Sequence, residues 1–229
     1  MFDRIFTAWQ DALSSLQGSY WFQKLAAGEL ELAHYKGYLL ETYHHAGLNP
    51  QIQAFATMHM KDNPREMISK FFSHAKSEIG HDMMAAQDLI NLGVEKELII
   101  NSKPLPNTLA LNAFVLHLIQ FVDPISYLGY LFHLEYLPTQ TGRFYIEKLK
   151  QMGVQENSLT FLEEHATVDI AHNELMKQYI NYFVTNNKTL DNVIYAVQST
   201  CVLHQQMIEA AFVNGEKLFR ERAKVKKIK

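Results

Sequence analysis

The segment HATVDIAHNE, residues 165–174, places three metal-ligand side chains on one side of a predicted helix. His165, Asp169 and His172 are spaced by four and three residues. At about 100° per residue, Asp169 lies about 40° from His165, and His172 lies about 20° to its other side. Because a polar group that is buried without a partner costs free energy, this shared stripe predicts a bound cation or a polar network.

The rest of the chain has the periodicity of helices. Apolar residues recur at spacings of three and four through nearly the whole sequence, and the ten glycines and six prolines fall mostly between the periodic segments. No alternating strand pattern of useful length occurs. The chain therefore reads as one all-α domain, residues 1–229, with a core that includes Phe114, Leu118, Phe121 and Leu128. The predicted helices, about seven in number, span 2–16, 29–60, 64–92, 107–121, 123–151, 157–186 and 188–223.

Composition excludes several classes of protein. A hydrophobic content of 48% supports a sizeable core, but no segment has the roughly 18 to 20 apolar residues that span a bilayer. The N-terminal segment lacks the basic and apolar regions of a signal peptide, so we expect a cytoplasmic protein. Its single cysteine, Cys201, rules out an intrachain disulfide and a cysteine-based zinc cluster.

Basic residues are concentrated at the C-terminal end. The last ten residues hold six Lys or Arg against one Glu, which leaves the rest of the chain net acidic. Such a tail is typical either of a patch that binds polyanions or of the end of a final helix, where the macrodipole favours cations. Because the acidic body would repel a polyanion, we expect neither a nucleic acid nor a membrane as partner.

Two further predicted helices carry partners for the first stripe. The segment SEIGH places Glu78 and His81 three residues apart, and FHLEYLP places Glu135 in an apolar run, where a carboxylate needs a partner. Helical bundles build metal sites from such inward-facing side chains. The predicted metal ligands are Glu78, His81, Glu135, His165, Asp169 and His172.

This set fits two divalent ions. Two such ions would offset the charge of three carboxylates, and the mixture of oxygen and nitrogen ligands suits iron or manganese, with zinc as a further option. His74, one turn before Glu78, is a reserve ligand. Glu163 or Glu164 would replace Glu135 if the helix assignment is different.

At these residues the sequence resembles the haem-oxygenase-like diiron oxidases and oxygenases. They belong to the wider TENA/THI-4/PQQ synthase superfamily, which also holds haem oxygenase and thiaminase II. The family pattern is a Glu and a nearby His, a Glu about 55 to 60 residues later, and then H-x-x-x-D-x-x-H; Glu78, His81, Glu135 and HATVDIAH follow that order. The stretch LAAGELELAHYKGYLLETYHH also resembles the superfamily's second helix, so the resemblance covers essentially the whole chain.

The resemblance implies a seven-helix haem-oxygenase-like fold, two weakly held iron ions and dioxygen chemistry on a small organic acid or amine. The outcome would be decarboxylation, N-oxygenation or desaturation. In this family the helix with the last three ligands can be distorted when metal is missing. A homodimer is left open.

Three relatives offer other activities, and two of them fit this sequence poorly. A thiaminase-like hydrolase needs a nucleophilic cysteine in mid-chain, whereas Cys201 lies near the end, and haem oxygenase needs an axial histidine in the first helix, which has none. A cofactorless oxidase like the quinone synthase stays open, as does a non-enzymatic binding or regulatory module. The module predicts carboxylates that pair with Lys or Arg instead of metal.

The substrate is expected to be a small or medium organic molecule with an apolar part. The chain is rich in Phe and Tyr and has neither a glycine-rich phosphate cradle nor a basic body. Tyr43, His44 and Tyr136 are predicted to line its pocket.

Overall fold

A computed structural model gives the fold, and it describes residues 1–60 and 64–220, without the side chains of residues 168–171. Every regular element in this part of the chain is helical, which confirms the all-α class. The α-helices are α1 (Phe2–Gln17), α2 (Tyr20–Ala26), α3 (Leu32–Ala46), α4 (Asn49–His59), α5 (Arg65–Ser77), α6 (His81–Asn91), α7 (Lys96–Asn101), α8 (Pro106–His117), α9 (Tyr127–Gln151), α10 (Thr160–Phe183) and α11 (Asn187–Gly215).

The described residues form more helices than the seven predicted. Two long predicted helices are each divided, into α3 and α4 and into α5 and α6. The first break is hard to recognise from sequence, because Gly47 keeps a helical φ of −61°. The short helices α2 and α7 were not predicted. Four shorter helical segments complete the list: π-helices Leu118–Val122 and Glu216–Arg220, and 3₁₀-helices Pro124–Ser126 and Glu156–Ser158.

Two clusters of apolar side chains form the core. The larger includes Phe71, Tyr179 and Leu128, and the smaller includes Leu89 and Phe161. Among the predicted core residues, Leu118 and Leu128 are buried and Phe114 is partly buried, as expected. The prediction for Phe121 is wrong, since its side chain is 69% exposed. Phe121 lies in the π-helical segment after α8, where the wider turn changes the direction in which side chains point.

Helices α3 and α11 cross at very short distance. A Cβ atom on Gly37 would lie 2.1 Å from the carbonyl oxygen of Ala211, and a Cβ on Gly215 would lie 2.2 Å from that of Ala33. Only glycine allows this approach. The crossing holds α11 across the bundle, where it forms one wall of the cavity described below.

In the part of the chain that the structure describes, no helix has both the length and the apolarity needed to cross a membrane. The basic residues after Arg220 lie outside the described residues, so the prediction that the last helix extends to residue 223 is not addressed.

Candidate metal centre

Glu78 and His81 lie on either side of a helix break and not on one helix face. Glu78 is the C-terminal cap of α5, and His81 is the first residue of α6. Between them Gly80 has a φ of +102°, a conformation that favours glycine. The expected single helix over 64–92 is therefore wrong, because the backbone leaves the α-helical conformation at this glycine. The two side chains still meet across this break, with His81 Nδ1 3.0 Å from Glu78 Oε2.

Glu135 on α9 lies between two histidines from different helices. His74 Nε2 on α5 donates a hydrogen bond to Oε1 over 3.0 Å, and His172 Nδ1 on α10 donates to Oε2, also over 3.0 Å. All three side chains are buried. Burial alone would raise the pKa of Glu135, but the hydrogen bonds from His172 and His74 outweigh it and lower the pKa. The carboxyl is therefore ionised and ready to bind a cation.

Glu78 belongs to two groups of ligand atoms at once. Its Oε1 lies 3.7 Å from His172 Nδ1 and 4.0 Å from His74 Nε2, whereas its Oε2 faces His81. One group comprises His74, Glu78, Glu135 and His172, and the other comprises Glu78, His81 and His165. Within each group the ligand atoms lie within 4.8 Å of one another. The carboxylate of Glu78 therefore faces both groups of possible ligand atoms.

His165 on α10 presents a defined ring nitrogen to the second group. Its Nδ1 donates a hydrogen bond of 2.7 Å to the carbonyl of Phe161, so Nε2 carries the free lone pair. Such a backbone partner is common for histidines that bind metals, because it fixes the tautomer and the ring orientation. The ring lies edge-on to His81, with 4.5 Å between centroids. Burial and the neighbouring His81 lower the pKa of His165, which favours the neutral, metal-binding form.

The donor set fits a pair of metal ions of intermediate hardness. Four imidazoles and two carboxylates converge, without a described thiolate among them. Among the described side chains, no Lys or Arg forms an ion pair with Glu78 or Glu135. His74 faces Glu78 and Glu135 through Nε2, whereas its Nδ1 is buried without a hydrogen-bond partner in that part of the chain.

Five of the six residues proposed from sequence come together, and His74, the reserve ligand, lies with them. The sixth is Asp169, whose side chain is not among those that the structure describes. Glu163 and Glu164, the two alternatives to Glu135, do not belong to this cluster. Glu163 pairs with Lys150 at 3.1 Å, and Glu164 is exposed.

A mostly apolar cavity of about 170 Å³ begins beside the cluster. His165 lines it, together with side chains from α1, α2, α3, α9 and α11. Aromatic and aliphatic residues dominate the wall, among them Trp21, Phe22, Tyr35 and Phe212. A wall of this kind accepts the apolar part of a small organic molecule.

The residues predicted from sequence to line a pocket do not line this cavity. Tyr43 packs beside His44, whose Nε2 is hydrogen-bonded to Ser102 Oγ at 2.8 Å. Tyr136 is buried in the larger apolar cluster and stacks on Phe132. Tyr136 immediately follows Glu135 on α9, so the two side chains point in different directions around the helix.

Sequence reasoning missed the polar part of the cavity wall. The cavity is also lined by His133 on α9 and by Cys201 and His204 on α11. The spacing Cys201, His204, Ile208, Phe212 follows one face of a helix and could have indicated a shared surface. The cysteine itself lies in the last long helix, as expected, and burial raises the pKa of its thiol to about 12.

Comparison with known proteins agrees with this fold. A structure from Shewanella denitrificans OS217, a domain of unknown function with a haem-oxygenase-like fold, is 26% identical, with a TM-score of 0.80 over 95% of this chain and 92% of the other. A TenA homologue from P. horikoshii OT3 gives a TM-score of 0.75 at 14% identity over 93% and 98% of the two chains. Another from Pseudomonas syringae pv. tomato gives 0.72 at 14% identity over 91% of each. No curated protein sequence matches significantly.

The fold is thus haem-oxygenase-like. Residues 36–205 match the family model described as iron-containing redox enzymes. This match spans well over half of the chain, and the protein belongs to that family.

Proposed function

We propose that this protein is a non-haem diiron oxidase or oxygenase that uses dioxygen to oxidise a small organic acid or amine. The observation that carries the proposal is the position of Glu78, whose two carboxylate oxygens face two separate groups of ligand atoms. A cluster that served only to stabilise the fold would not need five ligand-type side chains around one carboxylate. Membership of a family of iron-containing redox enzymes supports iron as the metal.

Each described residue has a separate role in the proposed site. One ion would be held by His74, Glu135 and His172, and the other would be held by His81 and His165. Glu78 would be shared between the two ions. Two ferrous ions, when bound, supply electrons for the reduction of dioxygen. The hydrogen bond from His165 Nδ1 to Phe161 fixes the ring so that Nε2 would be available to an ion. The apolar wall excludes bulk water and holds the substrate beside His165.

Two alternatives explain the site less well. A binding module that has lost its metal would be expected to pair the carboxylates with Lys or Arg, and no such pair involves Glu78 or Glu135 among the described residues. A cofactorless oxidase would leave these buried carboxylates without a purpose, at a cost in folding free energy. Both alternatives predict that iron has no effect.

The proposal is tested by loading metal-free protein with ferrous iron under anaerobic conditions and removing the excess. We expect about two irons per chain, followed by consumption of dioxygen when air is admitted. Candidate fatty acids, amino acids and amines are then screened for faster consumption and for an oxidised product. Loaded protein that consumes no dioxygen with any candidate would contradict the proposed activity.

Matched variants separate the proposed site from unspecific iron binding. We expect Glu78→Gln to lose both ions, because the carboxylate is shared. Glu163→Gln changes a carboxylate on α10 that pairs with Lys150, so it serves as the control and should keep both ions. Equal iron content in the two variants would exclude the bridging role of Glu78.

A further inference from the structure

A chain of hydrogen bonds runs from the larger apolar cluster to the cavity wall. Trp9 Nε1 donates to His133 Nδ1 over 3.2 Å, and His133 Nε2 lies 2.9 Å from His204 Nδ1. All three side chains are at most 9% exposed. Both histidines line the cavity.

The donor and acceptor properties of the three side chains fix the direction of these hydrogen bonds. The indole N–H of Trp9 is a donor only, so His133 Nδ1 must accept and its proton must be on Nε2. His133 Nε2–H then donates to His204 Nδ1, which places the proton of the second ring on Nε2. The thiol of Cys201 lies 3.2 Å from the same Nδ1 of His133 and agrees with its role as an acceptor.

The last nitrogen in this series of hydrogen bonds has no partner among the described residues. His204 Nε2 forms no hydrogen bond with any residue that the structure describes, although the side chain is 91% buried and lies on the cavity wall. His204 Nε2 is not one of the fully buried side-chain atoms that lack a partner, so it borders open space in the cavity. Water or a ligand group in that space must accept from its N–H, because an unsatisfied donor costs free energy. The protein therefore presents a donor of fixed direction to whatever occupies the cavity.

The wall also limits the charge of the accepting group. No Lys or Arg lines the cavity in the described part of the chain, and its two carboxylates are Glu31 and Glu209. Glu31 is bound to Arg220, and Glu209 accepts a hydrogen bond from Gln205. An ionised carboxylate at this wall would meet no cation and would be repelled by Glu209. The acceptor is therefore an uncharged oxygen, as in a carbonyl or hydroxyl group.

We propose that His204 is a substrate-binding residue whose Nε2–H donates to an uncharged oxygen of the ligand, while the apolar part of the ligand extends toward His165. This proposal deepens the proposed function, because the same cavity would hold the substrate. It adds a requirement to the substrate class: a carbonyl or hydroxyl oxygen that reaches His204 Nε2 while the apolar part lies beside His165. The tests below use metal-free protein, so failure of iron binding does not affect them.

The tautomers can be observed directly by ¹⁵N NMR of the imidazole rings. We expect both His133 and His204 to carry their proton on Nε2 in the wild-type protein. Trp9→Phe removes the donor that fixes His133, so the other tautomer of both rings should become populated. A wild-type His204 with its proton on Nδ1 would overturn the proposal without any substitution in the cavity.

Ligand binding tests the donor itself. Acetophenone and α-methylstyrene have nearly the same shape, but only the first has an oxygen acceptor, and titration calorimetry or ligand-observed NMR can compare them. We expect metal-free wild-type protein to bind acetophenone roughly three- to tenfold more tightly, the value of one neutral hydrogen bond. Benzoate, which carries a charge, should bind less well than acetophenone.

Two variants assign this preference to one residue. His204→Leu should bind both probes equally, and His204→Gln, which keeps an N–H donor, should retain the preference for acetophenone. The proposal would be overturned if His204→Leu still preferred acetophenone. It would also be overturned if the wild-type protein bound the two probes equally well or bound neither of them.

Discussion

Glu78 Oε2 lies 3.0 Å from His81 Nδ1 across a break between two helices, and the residue that permits this approach is Gly80. The same carboxylate turns its other oxygen toward His172. The position of Glu78 between the two ligand groups thus depends on one residue with positive φ. Substitution at this glycine should alter the metal site without removing a ligand.

We expect Gly80→Ala to lower iron affinity as well as stability. A side chain at a φ of +102° is strained by about 1–2 kcal/mol, although the added Cβ would meet no neighbour within 4 Å. Gly153→Ala is the control, because its φ is +88° and its surroundings are equally open. Both variants should lose similar stability in urea unfolding of the metal-free protein, but only Gly80→Ala should bind iron more weakly.

Glu135→Gln should lose fewer ions than Glu78→Gln. Glu135 contacts only the group that includes His74 and His172, so its substitution leaves His81 and His165 with the shared carboxylate. Metal analysis after anaerobic loading is expected to give about one iron per chain for Glu135→Gln and none for Glu78→Gln. The loss of both ions from each variant would show that the two positions bind only together.

Asp169 remains a ligand predicted from sequence. A carboxylate ligand supplies charge and geometry, and Asp169→Ala should therefore lose most of one metal equivalent. Iron content is the measurement, with Glu163→Gln as the control. An unchanged stoichiometry would remove Asp169 from the ligand set.

Stability should fall in mild acid because of buried neutral histidines. Burial lowers the pKa of His45 to about 4, and its Nδ1 bonds to Asn112 Oδ1 at 2.8 Å. The unfolded chain takes up the proton near pH 6.5 and the folded protein only near pH 4, so stability is lost as the pH falls between these values. One such group contributes a slope of up to about 1.4 kcal/mol per pH unit.

His45→Gln should therefore flatten this dependence, as measured by urea unfolding of metal-free protein from pH 7 to pH 4. The exposed His117 provides the control, and His117→Gln should keep the wild-type slope. If His45→Gln keeps the wild-type slope as well, His45 is not the group that takes up the proton.

Because α3 and α11 cross so closely, adding one methyl group at the crossing should strongly lower the free energy of unfolding. Gly37→Ala would place a Cβ 2.1 Å from a backbone oxygen of α11, and the helices can separate only by disrupting their packing. We expect a loss of about 1–3 kcal/mol or more in thermal or urea unfolding. Gly18→Ala should be neutral or slightly stabilising, because Gly18 has a φ of −75° and open surroundings.

The sequence was sufficient for the fold class and for most of the candidate metal centre. Periodicity of three and four predicts helices, and a carboxylate in an apolar run such as Glu135 signals a partner. The helix count was wrong where breaks leave little trace, as at Gly47, whose φ stays helical. The cavity could not be predicted, because its wall combines residues from helices far apart in the chain, such as Trp21 and His204. Tertiary packing decides such contacts, and local patterns do not encode them.

The central claim, that Glu78 bridges two iron ions, is tested most directly by anomalous diffraction at the iron edge from crystals grown and loaded without oxygen. We predict two iron peaks on opposite sides of the Glu78 carboxylate, one beside Glu135 and His172 and the other beside His81 and His165. A single peak, or iron bound away from Glu78, would contradict the claim.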